Sequence, residues 1–107
     1  MVIVVEFMQT AEGKLKEAAE FLKKATGYVR KTFGAETKIL RRVTPRAGEG
    51  ARWIVEFTFG SLAAWGEYQE KMQKDPQWQA LVEEGFRRDS KCFAHNSFSR
   101  SIYEVME

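Results

Sequence analysis

KDPQWQALVEEGF, Lys74 to Phe86, sets a helix-breaking pair directly ahead of a helical pattern. The residue before a proline is pushed out of the α region, so a helix arriving from Ser61 is expected to end or kink near Lys74. Asp75 then suits an N-cap, and Pro76 takes the first helical position, where its missing N–H costs nothing. Trp78, Leu81, Val82 and Phe86 carry a fresh apolar stripe. The stretch therefore reads as the re-aimed half of one helical arm, with Trp78 anchored just after the bend. Gly85 or residues 87–90 end it.

Upstream, RWIVEFTF, Arg52 to Phe59, alternates as a strand: Trp53, Val55, Phe57 and Phe59 share one face. Ser61 can cap the helix behind it, with Leu62, Trp65, Tyr68 or Gln69, and Met72 along one side. Val2 to Gln9 reads as a first strand. Glu12 to Phe33 follows helical spacing through Leu15, Ala18, Leu22, Ala25, Val29 and Phe33, and Gly34 is a natural stop. Thr37 to Val43 is a second strand, basic enough to lie on an edge, and residues 44–50 make a turn-rich loop. Ser97 to Met106 supplies a last strand. The order is β-α-β-β-α-β, an α+β, ferredoxin-like arrangement whose second helix is broken at Asp75-Pro76.

The chain has 107 residues, 44% of them apolar and 30% charged, which fits a single globular domain over residues 1–107. Net charge is +2, from 17 basic and 15 acidic residues spread along the chain, so there is no basic stripe for nucleic acid. The opening MVIVVEFM lacks a basic n-region and a cleavage site, and no apolar run reaches membrane-spanning length. One cysteine, Cys92, fits a reducing, cytoplasmic setting. One histidine and one cysteine three residues apart are too few ligands for a metal site.

A four-stranded sheet of this kind covers one face with helices and leaves the other bare. The spacing assigns Ile3, Val5, Phe7, Tyr103 and Val105 to the covered face, beside the alternating residues of Arg52–Phe59. It leaves Val2, Val4, Met8, Ile54, Phe98 and Ile102 on the bare one, among Glu6, Arg52, Glu56, Arg100 and Glu104. Such a face is too apolar for open water and predicts a partner, most economically a second copy of the chain. The RNA-binding module of the same topology needs aromatic side chains on that face. Arg52 and Ile54 stand at its stacking positions instead.

FGSLAAWGEYQEKMQKDPQWQALVEEGF, Phe59 to Phe86, together with the closing SIYEVME, Ser101 to Glu107, resembles the dimeric α+β barrel superfamily. The likeness is strongest to its NIPSNAP-like and antibiotic-biosynthesis-monooxygenase-like branches. It implies a homodimeric barrel with a pocket between sheet and helices. It also implies either a binder of a small apolar or aromatic molecule or a cofactor-independent monooxygenase acting on an aromatic substrate. Trp65, Tyr68, Trp78 and Arg87 are the substrate-binding candidates, and His95 and Tyr68 the catalytic ones. The only asparagine is Asn96, away from the places where oxygenase members of the family use one. No histidine lies on either helix to hold a haem, so no cofactor is expected.

His95 is also the one side chain with an unperturbed pKa near neutrality, against which stands a histidine bonded to backbone. Glu6 and Glu56 are expected on one sheet face, either as an acid-base pair or as a charge network with nearby arginines.

Overall fold

The computed structural model describes residues 1–43, 52–86, 92–94 and 97–107. Their elements are β1 (Val2–Gln9), α1 (Leu15–Phe33), β2 (Glu36–Arg41), β3 (Arg52–Phe59), α2 (Leu62–Gln73), α3 (Pro76–Phe86) and β4 (Ser99–Glu104). The strands form one antiparallel sheet in the order β2-β3-β1-β4, the ferredoxin-like arrangement, with α1, α2 and α3 on one side.

Helix α1 begins at Leu15 rather than Glu12 because the backbone turns first. Lys14 N–H donates to the Ala11 carbonyl at 3.1 Å, and Gly13 sits at φ 75°. The far end stops as expected: Gly34 adopts φ 71° and donates its N–H to the Arg30 carbonyl. Ala18, Leu22, Ala25 and Val29 are buried along one stripe, whereas Leu15 stays exposed. Strand β2 starts one residue earlier and ends two earlier than the sequence suggests, and β4 is two residues shorter at each end.

The register corrects the expected faces. Val2 pairs with Phe59, Val4 with Phe57, Glu6 with Val55 and Met8 with Trp53, and directly paired residues point the same way. The helix-covered face of β1 is therefore Val2, Val4, Glu6 and Met8, not Ile3, Val5 and Phe7. In β4, Ile102 pairs with Val4 and Arg100 with Glu6, so both also face the helices, while Tyr103 pairs with Ile3 on the bare side. Glu6 and Glu56 lie on opposite faces, because Glu56 pairs with Val5. They form neither an acid-base pair nor a shared network. The bare face instead carries Ile3, Val5 and Phe7 beside Ile54, Leu40 and Tyr103. It gains the aromatics Phe7 and Tyr103, yet β3 offers Arg52, Ile54, Glu56 and Thr58 there and no ring for stacking a base.

The arm breaks where Asp75-Pro76 requires it. Ser61 Oγ accepts from Ala64 N–H to cap α2, and Asp75 Oδ1 accepts from Gln77 and Trp78 N–H at 2.9 and 3.1 Å to cap α3. Both ends of α3 are fastened. At its start the Tyr28 hydroxyl donates to Asp75 Oδ2 at 2.6 Å. At its end Gly85 lies under the Phe21 ring, and its carbonyl accepts from Cys92 N–H at 3.0 Å. Residues 92–94 are tied to the chain at and just past the end of β1, through Ala11 N–H to the Cys92 carbonyl and Ala94 N–H to the Gln9 carbonyl.

Candidate functional site

Between the sheet and the three helices lies a cavity of about 510 Å³. Helical geometry explains its walls. Trp65, Tyr68 and Met72 stand three and four residues apart on α2 and face the sheet; Trp78, Val82 and Phe86, at steps of four, line the space from α3. The re-aimed arm thus closes one side, and α1 closes another with Phe21, Leu22, Ala25 and Thr26. The rings brace one another. Trp65 stacks on Tyr68 (5.4 Å between centroids, 25°), Tyr68 packs edge-on against Phe33, and Trp78 stacks on Tyr28 (6.1 Å, 17°). The Thr26 hydroxyl is occupied within its own helix by the Leu22 carbonyl at 2.9 Å.

One end of this apolar space is charged. Arg100 donates through Nε and Nη2 to a single oxygen of Glu6, Oε2, at 2.9 and 2.7 Å. Its guanidinium also lies over the Trp65 ring at 5.4 Å and near Phe98 at 5.5 Å. The Glu6 side chain is 13% exposed and that of Arg100 41%. Burial pushes the Glu6 carboxyl above its ordinary range, and the bound Arg100 only partly offsets that.

Tyr68 is a second buried polar group of the cavity, whose wall also carries Gln69, Gln73 and Gln79. It is 5% exposed, and its hydroxyl has no hydrogen-bond partner among the described residues. Leaving such a group unpaired costs about 1–3 kcal/mol. Burial raises its pKa first, the Glu6 charge raises it further, and Arg100 opposes, so it is a neutral donor at any ordinary pH. Cys92 is buried and its thiol is pushed up by burial, the reverse of an activated nucleophile.

Of the residues singled out from the sequence, Trp65, Tyr68 and Trp78 all line the cavity. Arg87 and His95 lie outside the described residues. Trp53 is elsewhere in the core, its indole N–H donating to Thr10 Oγ1 at 2.7 Å. Glu6 and Arg100 are not legible as site residues in the sequence, because alternation alone places them on the bare face. A signal for Glu6 is present, an acid interrupting an otherwise apolar strand, whereas Arg100 stands between two serines and carries none.

Neither a protein-family model nor a curated protein matches the sequence. Solved structures do. An uncharacterized NIPSNAP domain protein from Burkholderia xenovorans aligns with a TM-score of 0.76 at 12% identity, over 98% of this chain and 94% of its own. A NIPSNAP family protein from Agrobacterium tumefaciens gives 0.69 at 18%, over 96% and 90%. SnoaB, a cofactor-independent oxygenase from Streptomyces nogalater, solved as a mutant, gives 0.67 at 8%, over 99% and 93%. The chain shares their fold. The NIPSNAP-like and monooxygenase-like resemblance read from Phe59–Phe86 thus holds at the level of architecture. At these identities it carries no activity, since one fold hosts unrelated chemistries. Among the described residues no helix is long and apolar enough to cross a membrane.

Proposed function

We propose that this chain binds a small, flat, mainly apolar or aromatic molecule in the cavity between its sheet and its broken helical arm. One observation carries the reading: about 510 Å³ of space walled by Trp65, Tyr68 and Trp78, in a small domain whose interior should otherwise be close-packed. Small-molecule pockets run to roughly 300–1,000 Å³ and combine apolar walls with a few convergent polar groups. Trp65, Tyr68 and Trp78 hold the rings, and Arg87 joins them as a substrate-binding candidate. The bare sheet face supports the second half of the reading, a homodimer. Leu40, Ile54 and Phe7 form one row across three strands and Ile3 pairs with Tyr103, with Tyr103 53% exposed and Leu40 40%.

The test is ligand binding itself. Protein purified without denaturation is extracted for co-purified small molecules, and flat aromatic compounds are screened by tryptophan quenching and thermal shift. A compound at a hundred times its Kd stabilises by about 2.7 kcal/mol. Failure of every flat aromatic to quench or stabilise overturns the reading.

A second reading is favoured by Trp65 and Tyr68 standing on the wall of a cavity in a fold shared with a cofactor-independent oxygenase. In it the chain oxygenates an electron-rich aromatic substrate, with Tyr68 and His95 as catalytic candidates and no cofactor. Oxygen uptake with substrate alone, slowed by Tyr68→Phe or His95→Ala, supports it. Binding without oxygen consumption removes it.

A further inference from the structure

The inference concerns which flat molecule the cavity prefers, and it rests on the binding reading above. Glu6 and Tyr68, both on the cavity wall, have unused hydrogen-bonding capacity. Arg100 places both of its hydrogen bonds on Glu6 Oε2, which leaves Glu6 Oε1 an acceptor with no hydrogen bond among the described residues. The Tyr68 hydroxyl, on a residue 95% buried, is likewise unpartnered. Both residues line the same cavity, and Trp65 links them, its ring lying 5.4 Å from the Arg100 guanidinium and 5.4 Å from the Tyr68 ring.

These groups ask for a particular partner. A carboxylate ligand would meet the Glu6 charge, with Arg100 already engaged. An ammonium ligand would meet the Arg100 charge and has no lone pair for Tyr68. A bare hydrocarbon would leave the tyrosine hydroxyl buried and unpaired. A neutral hydroxyl donates one hydrogen bond and accepts others, so it suits both groups at once.

We propose that the cavity selects a neutral, flat ring system bearing a hydroxyl, which donates to Glu6 Oε1 and accepts from the Tyr68 hydroxyl. The remaining walls, from Trp78 and Val82 on α3 to Leu22 and Ala25 on α1, hold the rings.

The experiment compares three probes of one shape, 2-naphthol, naphthalene and 2-naphthoate, by calorimetric titration of the full chain. The expected order places 2-naphthol at least about tenfold tighter than either of the others. Tyr68→Phe should remove most of that preference, because 2-naphthol loses its donor while naphthalene no longer buries an unpaired hydroxyl. Glu6→Gln should shrink it too and strengthen 2-naphthoate, because Arg100 is then released from a charged partner. Naphthalene binding as tightly as 2-naphthol to the unaltered chain overturns the proposal but leaves the binding reading intact. A preference that survives both substitutions does the same. If none of the three probes binds, the binding reading itself fails and the proposal falls with it.

Discussion

The Tyr28 hydroxyl of α1 donates to Asp75 Oδ2 while the other oxygen of the same carboxylate caps α3, so one side chain joins two helices. Asp75→Ala should therefore cost more than a lone cap, about 1–2 kcal/mol in chemical denaturation. Pro76→Ala should cost no more than about 0.5 kcal/mol, since the cap remains and alanine is a good helix former. The bond to Tyr28 predicts non-additivity between Tyr28→Phe and Asp75→Ala. A larger loss from Pro76→Ala than from Asp75→Ala would show that the break is not held by its cap.

Acid titration should separate Asp75 from Glu6. The Tyr28 hydroxyl, joined by the N–H groups of Trp78 and Gln77, holds the Asp75 carboxyl below its usual 3.8. Its contribution is thus present above pH 3.8 and is lost as pH falls through the lower folded value. Burial holds Glu6 above its usual 4.5. Its contribution is full below that value and is lost as pH rises through the folded one. Relative to the native chain, Asp75→Asn should therefore gain ground on acidification below pH 3.8. Glu6→Gln should gain ground as pH rises above 4.5. Denaturation midpoints measured across this range check both slopes, and slopes of the same sign would contradict the assignment.

Gly85→Ala should destabilise the fold, although alanine is the better helix former by about 1 kcal/mol. A Cβ at that position would overlap the Phe21 ring. That ring cannot simply swing aside, because Phe86 and Phe93 pack against it at 6.0 and 5.8 Å. Overpacking of this kind costs about 1–3 kcal/mol, so the net loss should reach up to about 2 kcal/mol. A midpoint at or above that of the native chain would mean the ring moves freely.

Ile54→Arg tests the bare sheet face, where Ile54 stands between Phe7 and Leu40. The native chain should elute with a light-scattering mass near twice 12.4 kDa, and the variant near that of one chain or unfolded. A native chain that stays monomeric at micromolar concentration removes the dimer.

The parts that were legible in the sequence are those fixed by local rules. Asp75-Pro76 marked its own helix start, Ser61 its own cap, and the alternation of Arg52–Phe59 its own buried face. The face of β1 was not legible. Ile3, Val5 and Phe7 are as apolar as Val2, Val4 and Met8, so alternation alone could not choose between them. Its neighbours β3 and β4 are both distant in sequence, and no tight turn joins either to it to fix the register. A one-residue slip turned every side chain over and carried Glu6 and Arg100 out of the cavity they share. The ring-bearing helix positions, Trp65, Tyr68 and Trp78, escaped this because helical spacing does not depend on strand register.

The fastening of α3 at both ends bears on how a guest enters. A wall tied to α1 through Tyr28 and to the end of β1 through Cys92 is poorly placed to swing as a lid. Entry should then be a collision with a preformed opening, not a wait for the protein to rearrange. In stopped-flow mixing the observed rate should climb in proportion to ligand concentration without reaching a plateau. Differences between ligands should appear in how slowly they leave.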